Sequence, residues 1–250
     1  MICRPGREAN RWMRALFGAC AAMAFVPAHA GSLEVNPIRV ELSSATRSAA
    51  VSVKNSGTDP VVVQISVQAW SQEKGKDVLT TTRELIVTPP VATIAAGNEQ
   101  IVRVGLRRAP EADRELSYRL FVEEVPGPAK PGFQGLQVAL RIGLPVFVQP
   151  RKGPAKATLV WDAALRDDTV NLKVINEGSG HIQISDLALL LPEEKQALAS
   201  HSGLTYVLPG QSHAWDFKFP PARVKKSDRL RLKVSTDAGS IDTEIGLASP

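Results

Sequence analysis

The sequence predicts an all-β protein built from two β-sandwich domains. Short runs in which apolar and polar residues alternate recur through residues 31–250, and clusters of Pro, Gly, Asn and Asp separate them. No segment in that range has the apolar periodicity of a long helix. A polar stretch containing Pro and Gly, residues 151–157, has the composition of a linker. These observations predict one sandwich over 31–150 and a second over 151–250.

The strand-like runs are each bounded by turn-forming residues. In the first predicted domain they are LEVNPIRVEL, AAVSVKN, VVVQISVQAW, ATI, QIVRVGL, LSYRLFVEEV and LQVALRIGLPVFVQP. The second predicted domain contains TLVWDAAL, TVNLKVIN, IQISDLALLL, GLTYVLP, SHAWDFKF, DRLRLKVST and GSIDTEIGL. The stretch SQEKGKD, residues 71–77, is expected to be a turn after the third run. Strands at this spacing are typical of a sandwich rather than of a sheet covered by helices.

The N-terminus has the composition of a secretory signal peptide. Four arginines precede the apolar run ALFGACAAMAFV, which is too short to cross a bilayer. Ala28–Ala30 then has the small–x–small form of a signal-peptidase site, so we expect residues 1–30 to be cleaved after Ala30. A lipoprotein site at Cys20 is the less favoured alternative, because the apolar run before that cysteine is short.

Removal of the signal would change both the charge and the thiol content of the chain. Residues 1–30 hold four of the 30 Lys and Arg residues and one of the 25 Asp and Glu residues, which leaves 26 basic and 24 acidic side chains. So small an excess of positive charge gives little support to a nucleic-acid partner, and we expect none. Both cysteines, Cys3 and Cys20, would leave with the signal, so no disulfide is expected afterwards.

No arrangement of residues in the mature chain predicts catalysis, a metal or a cofactor. His181, His201 and His213 do not stand at metal-ligand spacing, and neither a G-x-S-x-G elbow nor a Gly-rich phosphate loop is present. Acidic residues occur as adjacent pairs, which would point to opposite faces of a strand. We therefore expect a non-enzymatic protein without a cofactor, and a secreted hydrolase is the weakest alternative.

The run Leu136–Pro150 raises the question of function. Its even positions are all apolar, which is typical of a strand, yet Pro145 cannot donate to a sheet ladder and argues for a sheet edge. A long apolar edge strand is an aggregation hazard. Alternation alone favours the interpretation in which these side chains face the protein's own core.

Four further motifs, taken in order with this run, resemble one family. They are NPIRVEL, VQAW (Val67–Trp70), VTPPVATIAAGNEQIVRV (Val87–Val104) and RELSYRLFVEEVP (Arg114–Pro126). Their order resembles the PapD-like periplasmic chaperones of chaperone–usher pilus assembly, more closely across 33–150 than across 151–250. The short PGPAKPGFQ connection and the absence of cysteine are similar to the archaic branch of that family.

This resemblance implies two immunoglobulin-like sandwiches set at an angle, with a cleft between them, in a periplasmic chaperone. Its partners would be pilin or fimbrial subunits and an outer-membrane usher. Subunits of this kind lack their last strand, and the chaperone inserts its own strand into the groove. The matching donor strand is 136–148, with Leu136, Val138, Leu140 and Ile142 as donor-strand residues, whereas Leu144, Val146 and Val148 are expected in the core. Self-capping of the free chaperone in a dimer would protect such a strand.

The resemblance also implies an anchor for the carboxylate at the end of the subunit. Arg39 in NPIR matches one of the family's two anchoring cations, and the second, a lysine, corresponds to Pro145 here. Arg141 lies on the same face of the strand, about 13 Å from Pro145. We therefore name Arg39 and Arg141 as the expected anchor, in which Arg141 would contribute to a shifted site rather than replace the lysine.

Arg103 and Glu115 match family positions that form an interdomain ionic network with an aspartate, for which Asp237 is the expected residue. Such a network would set the angle between the domains. The alternative is that these are three unrelated surface charges. At the level of the whole protein, the competing hypothesis is a structural or adhesive component of a surface fibre, although GSLEVNPIRVEL leaves little length for a donor extension.

Overall fold

The computed structural model describes residues 33–127, 136, 138–219, 224–225 and 228–248. The predicted signal peptide and its cleavage site lie outside these residues. Every regular element in the described ranges is a β-strand, and no helix there could cross a membrane. The same ranges contain no group of three or more His, Cys, Asp or Glu side chains able to hold a metal ion.

Ten strands form the first sandwich, in two sheets. They are β1 (Leu33–Asn36), β2 (Val40–Leu42), β3 (Ser48–Asn55), β4 (Val61–Glu73), β5 (Lys76–Thr81), β6 (Leu85–Thr88), β7 (Val91–Ile94), β8 (Glu99–Leu106), β9 (Leu116–Glu124) and β10 (Arg141–Val148). One sheet has the order β1-β3-β8-β6, and the other has the order β2-β10-β9-β4-β5, with β7 also paired to β4. The pairing of β2 with β10 is parallel.

The core of this sandwich follows from the alternation of side chains along the strands. Strand β8 buries Val102, Val104 and Leu106, and each lies two residues from the next. Strand β10 buries Leu144, Val146 and Val148 in the same way, as the sequence predicted. All of these residues belong to one apolar cluster between the two sheets.

Seven strands form the second sandwich. They are β11 (Leu159–Arg166), β12 (Thr169–Asn176), β13 (Ile182–Leu190), β14 (Ala199–Val207), β15 (Ser212–Lys218), β16 (Arg229–Thr236) and β17 (Gly239–Ala248). Their hydrogen-bonded order is β14-β13-β16-β17-β11-β12-β15. Strand β17 pairs with β16 along most of its length and reaches β11 only at Leu247 and Ala248. Strand β17 thus joins β14-β13-β16 to β11-β12-β15, and these two parts of the sheet enclose a second apolar cluster.

The all-β fold is the one that the sequence predicted, whereas the division into domains at residue 150 stays a prediction. One local expectation was wrong, because residues 71–77 are not simply a turn. Strand β4 continues to Glu73 and β5 begins at Lys76, so the connection is only Lys74 and Gly75. Both have positive φ, 50° and 76°, and such a two-residue turn fits the twist of a hairpin.

A polar cluster lies at the surface end of the first core. The Tyr118 hydroxyl donates to Glu84 Oε2 at 2.7 Å, and Arg108 forms an ion pair with the other carboxylate oxygen. Burial alone would raise the pKa of Glu84, but the hydrogen bonds from Tyr118 and Arg108 and the charge of Arg108 leave that pKa below its ordinary value. The charged form of Glu84 therefore stabilises the folded protein.

We expect this contribution of Glu84 to disappear in acid. Because the folded-state pKa of Glu84 lies below its ordinary value of 4.5, the stabilisation is complete above that pH and is lost as the pH falls through the folded pKa. Glu84→Gln should lower the free energy of unfolding by less than about 1 kcal/mol at pH 7, since the ion pair is partly exposed. Thermal unfolding of both proteins from pH 7 towards pH 3 should show this difference narrowing, and a constant difference would contradict the assignment.

Candidate functional site

One edge of β10 is left open by the fold. Strand β10 pairs with β9 along its whole length, from Arg141 to Val148, whereas β2 covers its other edge only from Val146 to Val148. No other strand in the described parts of the chain pairs with that edge. Backbone donors and acceptors in the first half of β10 are therefore available to an added strand.

The segment before β10 carries exposed apolar side chains. Leu136 is 86% exposed and Val138 is 66% exposed, whereas Leu140 and Ile142 are half-buried and Ile142 packs against the first core. The sequence predicted a strand from residue 136, but the regular strand begins at Arg141. Strand β9 ends at Glu124, whose N–H still bonds to the Leu140 carbonyl at 2.8 Å, so the described residues Val138 and Ala139 have no paired neighbour on β9.

Two arginines flank Pro145 across neighbouring strands. Pro145 pairs with Arg119 of β9. On the other side of β10, Val146 pairs with Val40 of β2, so Arg39, the residue before Val40, lies opposite Pro145. Side chains in one row of a sheet lie on the same face. Arg39, Pro145 and Arg119 therefore form a row with a cation on each side of the proline. Arg119 was not among the predicted site residues, since its place in this row depends on strand register.

Both arginines are held by contacts with neighbouring side chains, and the Arg39 side chain is 36% exposed whereas that of Arg119 is 18% exposed. Arg39 Nη1 donates to Asp237 Oδ2 at 2.8 Å. Burial alone would lower the pKa of Arg39, but the hydrogen bond with Asp237 and its charge leave that pKa above its ordinary value. The Arg119 guanidinium lies 3.7 Å from the centre of the Trp70 ring, and its Nη2 is 3.6 Å from Asp77. Burial lowers the pKa of Arg119, and the charge of Asp77 opposes that change. Two fixed cations thus lie on the face of the sheet that meets the second sandwich.

Arg141 does not join this row, which corrects the expected pairing with Arg39. Its guanidinium forms an ion pair with Glu123 and lies 4.0 Å from the centre of the Phe121 ring. Phe121 also covers Gly143, where an added Cβ would come within 3.1 Å of the ring. Because Phe121 lies beside the strand between Arg141 and Pro145, it separates Arg141 from the two arginines.

His181, instead of Arg103, lies between the two acidic residues of the predicted network. Glu115 is buried, and its Oε1 accepts hydrogen bonds from the His181 backbone at 3.1 Å and from His181 Nδ1 at 2.7 Å. Asp237 lies nearby, with Oδ2 3.8 Å from His181 Nε2. The structure thus brings together Glu115 and Asp237, with His181 and Arg39 as the bases between and beside them.

Arg103 is not part of this network, which corrects the prediction. It lies on β8 between the fully buried Val102 and Val104, so its own side chain points away from the core into solvent. None of the ion pairs formed within the described residues includes Arg103. The strand that carries it belongs to the sheet that does not contain β10.

A small aromatic cluster joins the two sandwiches beside the row of arginines. Trp70, Phe147 and Leu208 are buried together, and Tyr206 packs against them with its ring edge-on to Trp70. Burial raises the pKa of Tyr206, and the charges of Arg119 and Arg39 oppose this rise. Because Phe147 belongs to β10 and Tyr206 to β14, this cluster ties the open-edged strand to the second sandwich.

Gln72 adds a second, polar connection between the sandwiches. It is buried, its Nε2 donates to the Tyr206 carbonyl at 2.9 Å, and its Oε1 accepts from the Leu208 N–H at 3.0 Å. On the other side of the interface, a cavity of about 670 Å³ is lined by Arg39, His181 and residues of the second sandwich. The sequence contained no signal for Gln72, which lay in a stretch expected to be a turn.

The comparisons with known proteins concern both halves of the chain. Residues 32–154 match the family described as "Pili and flagellar-assembly chaperone, PapD N-terminal domain". The "Chaperone protein PmfD" of Proteus mirabilis (strain HI4320) is 28% identical over 162 residues, which cover 61% of this chain and 60% of that protein's length. The matched region therefore spans less than two thirds of this curated relative.

Solved structures have a similar fold across nearly the whole described chain. A chain in the CsuC–CsuE chaperone–tip adhesion subunit complex, from the archaic chaperone-usher Csu pili of Acinetobacter baumannii, superposes with a TM-score of 0.67 at 22% identity, over 87% of this chain and 99% of that one. A chain in the complex of the Salmonella enterica SafA pilin with the SafB chaperone has a TM-score of 0.60 at 20% identity, over 88% and 98%. Both likenesses support the immunoglobulin-like sandwich fold.

Proposed function

We propose that this chain is a periplasmic chaperone for fimbrial subunits, because residues 32–154 match the family described as pili and flagellar-assembly chaperones with the PapD N-terminal domain. In this proposal the protein binds a subunit that lacks a strand, supplies the missing strand from its own β10, and delivers the subunit to an outer-membrane usher. The observation that carries the proposal is the open edge of β10, with exposed apolar side chains at one end and two arginines at the other.

The place of β2 supports a direction for the bound strand. Strand β2 is parallel to β10 and begins at Val40, directly after Arg39. A partner strand that lies beside the open part of β10, in line with β2 and in the same direction, would end where β2 begins. Its terminal carboxylate would then meet Arg39. An edge that accepts a strand in this way provides affinity through main-chain hydrogen bonds.

The exposed side chains before β10 support a role in the partner's core. Leu136 and Val138 alternate with polar or small neighbours, so they would project on one side of an added strand. Together with Leu140 and Ile142, they would fill the groove that the subunit's missing strand leaves open. Burial of a Val or Leu side chain stabilises a complex by about 1.5–3 kcal/mol, which accounts for keeping an otherwise hazardous edge.

We assign the carboxylate anchor to Arg39 and Arg119. Each guanidinium carries five N–H donors, so the contacts of Arg39 with Asp237 and Glu41, and those of Arg119 with Trp70 and Asp77, would leave donors for a carboxylate. In the row across Pro145 these two cations lie on either side of β10, at the position where the resemblance to the family leaves a lysine missing. Arg141 is held instead by Glu123 and stays outside the anchor.

Two further parts of the proposal concern the protein before and after it holds a subunit. The open edge would let two free copies cap each other, which gives a dimer that a bound subunit dissolves. Delivery requires the usher to accept the complex while the edge of β10 is covered. In this proposal the edge of β10 binds one partner at a time, so self-association of the free protein and binding of a subunit exclude each other.

Co-expression with a fimbrial subunit in the periplasm tests the proposal. We expect the tagged protein to be recovered from a periplasmic extract as a stoichiometric complex with that subunit, which mass spectrometry identifies. The subunit expressed alone should be degraded or aggregated, because its groove exposes its core. Recovery of this protein itself in isolated surface fibres, without a complex in the periplasm, would support the structural alternative and contradict the proposal.

A further inference from the structure

His181 occupies a joint between the two sandwiches. It directly precedes β13, its side chain is only 9% exposed, and its ring stacks on Phe147 with the ring centres 3.4 Å apart and the planes at 6°. Because a carboxylate only accepts hydrogen bonds, Nδ1–H is the donor to Glu115. The ring is therefore fixed by stacking on β10 and by a hydrogen bond to the residue that precedes β9.

The other ring nitrogen faces the group that holds Arg39. His181 Nε2 lies 3.8 Å from Asp237 Oδ2, and the same oxygen accepts from Arg39 Nη1 at 2.8 Å. The second oxygen of Asp237 accepts from the Gln183 backbone N–H at 3.0 Å. Contacts thus run from Glu115 through His181 and Asp237 to Arg39, and they cross between the two sandwiches twice.

The contact with Asp237 matters for Arg39 because neither strand pairing nor burial fixes the position of this residue. It lies in the connection between β1 and β2, outside any strand, and its side chain is partly exposed. An arginine side chain loses about 2 kcal/mol of rotamer entropy when it is fixed, and a group that is already oriented loses less of it on binding. Asp237 orients the guanidinium, and its own position is set by two hydrogen bonds with the Gln183 backbone and by the His181 ring beside it.

We propose that His181 is a positioning residue: its ring, which is fixed on Phe147 of β10, keeps Nε2 beside Asp237 and so holds Arg39 ready for a partner's terminal carboxylate. This inference rests on the proposed function. It predicts that His181 affects the recognition of the carboxylate group specifically, and not only the stability of the interface. The open edge of β10, which would bind the partner's main chain, makes none of these contacts.

The test compares two peptides that differ only in their C-terminal group. A synthetic twelve-residue peptide of alternating apolar and polar residues is prepared with a free C-terminal carboxylate and as its C-terminal amide, and binding of both to the full mature chain is measured by fluorescence anisotropy. The wild-type protein should prefer the carboxylate by about tenfold or more, as expected for charge-assisted hydrogen bonds. In His181→Phe, which keeps an aromatic ring on Phe147 without ring N–H groups, this preference should fall below about threefold.

Two other variants separate positioning from a general structural effect. His201→Phe changes a histidine of β14 and should keep the wild-type preference. His181→Asn places an amide N–H near the position of Nδ1 and keeps a donor for Glu115, but it has no group at Nε2, so its preference should also fall. It serves as the second test if His181→Phe does not give a cooperative thermal transition.

Each outcome decides between the interpretations. If both His181 variants keep the full preference for the carboxylate, the inference is wrong. Equal weakening of both peptides would also overturn it, because that result assigns His181 to the interface alone. A wild-type protein that binds both peptides equally would contradict the Arg39 anchor of the proposed function, and one that binds neither would contradict the donor edge; the inference would fail with either.

Discussion

Val138→Asp should abolish the capture of fimbrial subunits while it leaves the thermal unfolding of the free protein nearly unchanged. Val138 is 66% exposed and lies outside any regular strand, so a carboxylate there meets solvent in the free protein. In the proposed complex the same carboxylate would enter the apolar groove of the subunit. An unpaired charge in such a site costs several kcal/mol, which corresponds to a loss of affinity of at least about a thousandfold.

Val91→Asp is the matched control for this experiment. Val91 is 55% exposed on β7, which pairs with β4 and not with β10, so the same change of charge should leave capture intact. The measurements are recovery of subunit from periplasmic extracts and the unfolding temperature of each purified chaperone. Undiminished capture by Val138→Asp would contradict the donor-strand proposal. A large fall in its unfolding temperature would show instead that Val138 packs in this protein's own core.

The second large effect is expected from the row of arginines. Arg39→Ala should weaken subunit capture by about 10–100-fold, because hydrogen bonds to a charged group contribute about 1.5–3 kcal/mol. Arg39→Lys keeps the charge but not the planar pair of donors, so it should recover only part of that loss. Arg119→Ala should weaken capture as well, and should also lower stability because its guanidinium lies on Trp70.

Arg103→Ala and Arg141→Ala are the controls for the anchor. Arg103 points into solvent from the other sheet, and Arg141 is bound by Glu123 and Phe121, so neither substitution should produce the loss expected of Arg39→Ala. Affinities measured for a subunit with a free C-terminus provide the comparison. If Arg39→Ala binds as the wild type does, or if Arg141→Ala causes the larger loss, the anchor is assigned to the wrong residues.

Alternation along the chain was enough to predict which side of β10 faces the core of the first sandwich, but only in the second half of the strand. Leu144, Val146 and Val148 are in the core as expected, and the same pattern continues back to Leu136, whose side chain is exposed. Apolar residues recur at every second position both in a strand that covers the protein's own core and in a strand that covers a partner's core. The difference arises because β9 ends at Glu124 and does not pair with the described residues Leu136 and Val138.

The sequence by itself determined the all-β class and the apolar faces of the strands, and it singled out Arg39 and Glu115 as matches to a family pattern. Only the tertiary structure decided which side chains lie beside them. Arg119 meets Pro145 through strand register, and His181 reaches Glu115 across 66 residues of chain. Local patterns record how each segment packs on average, whereas these contacts depend on how two sandwiches are placed against each other, which no single segment encodes.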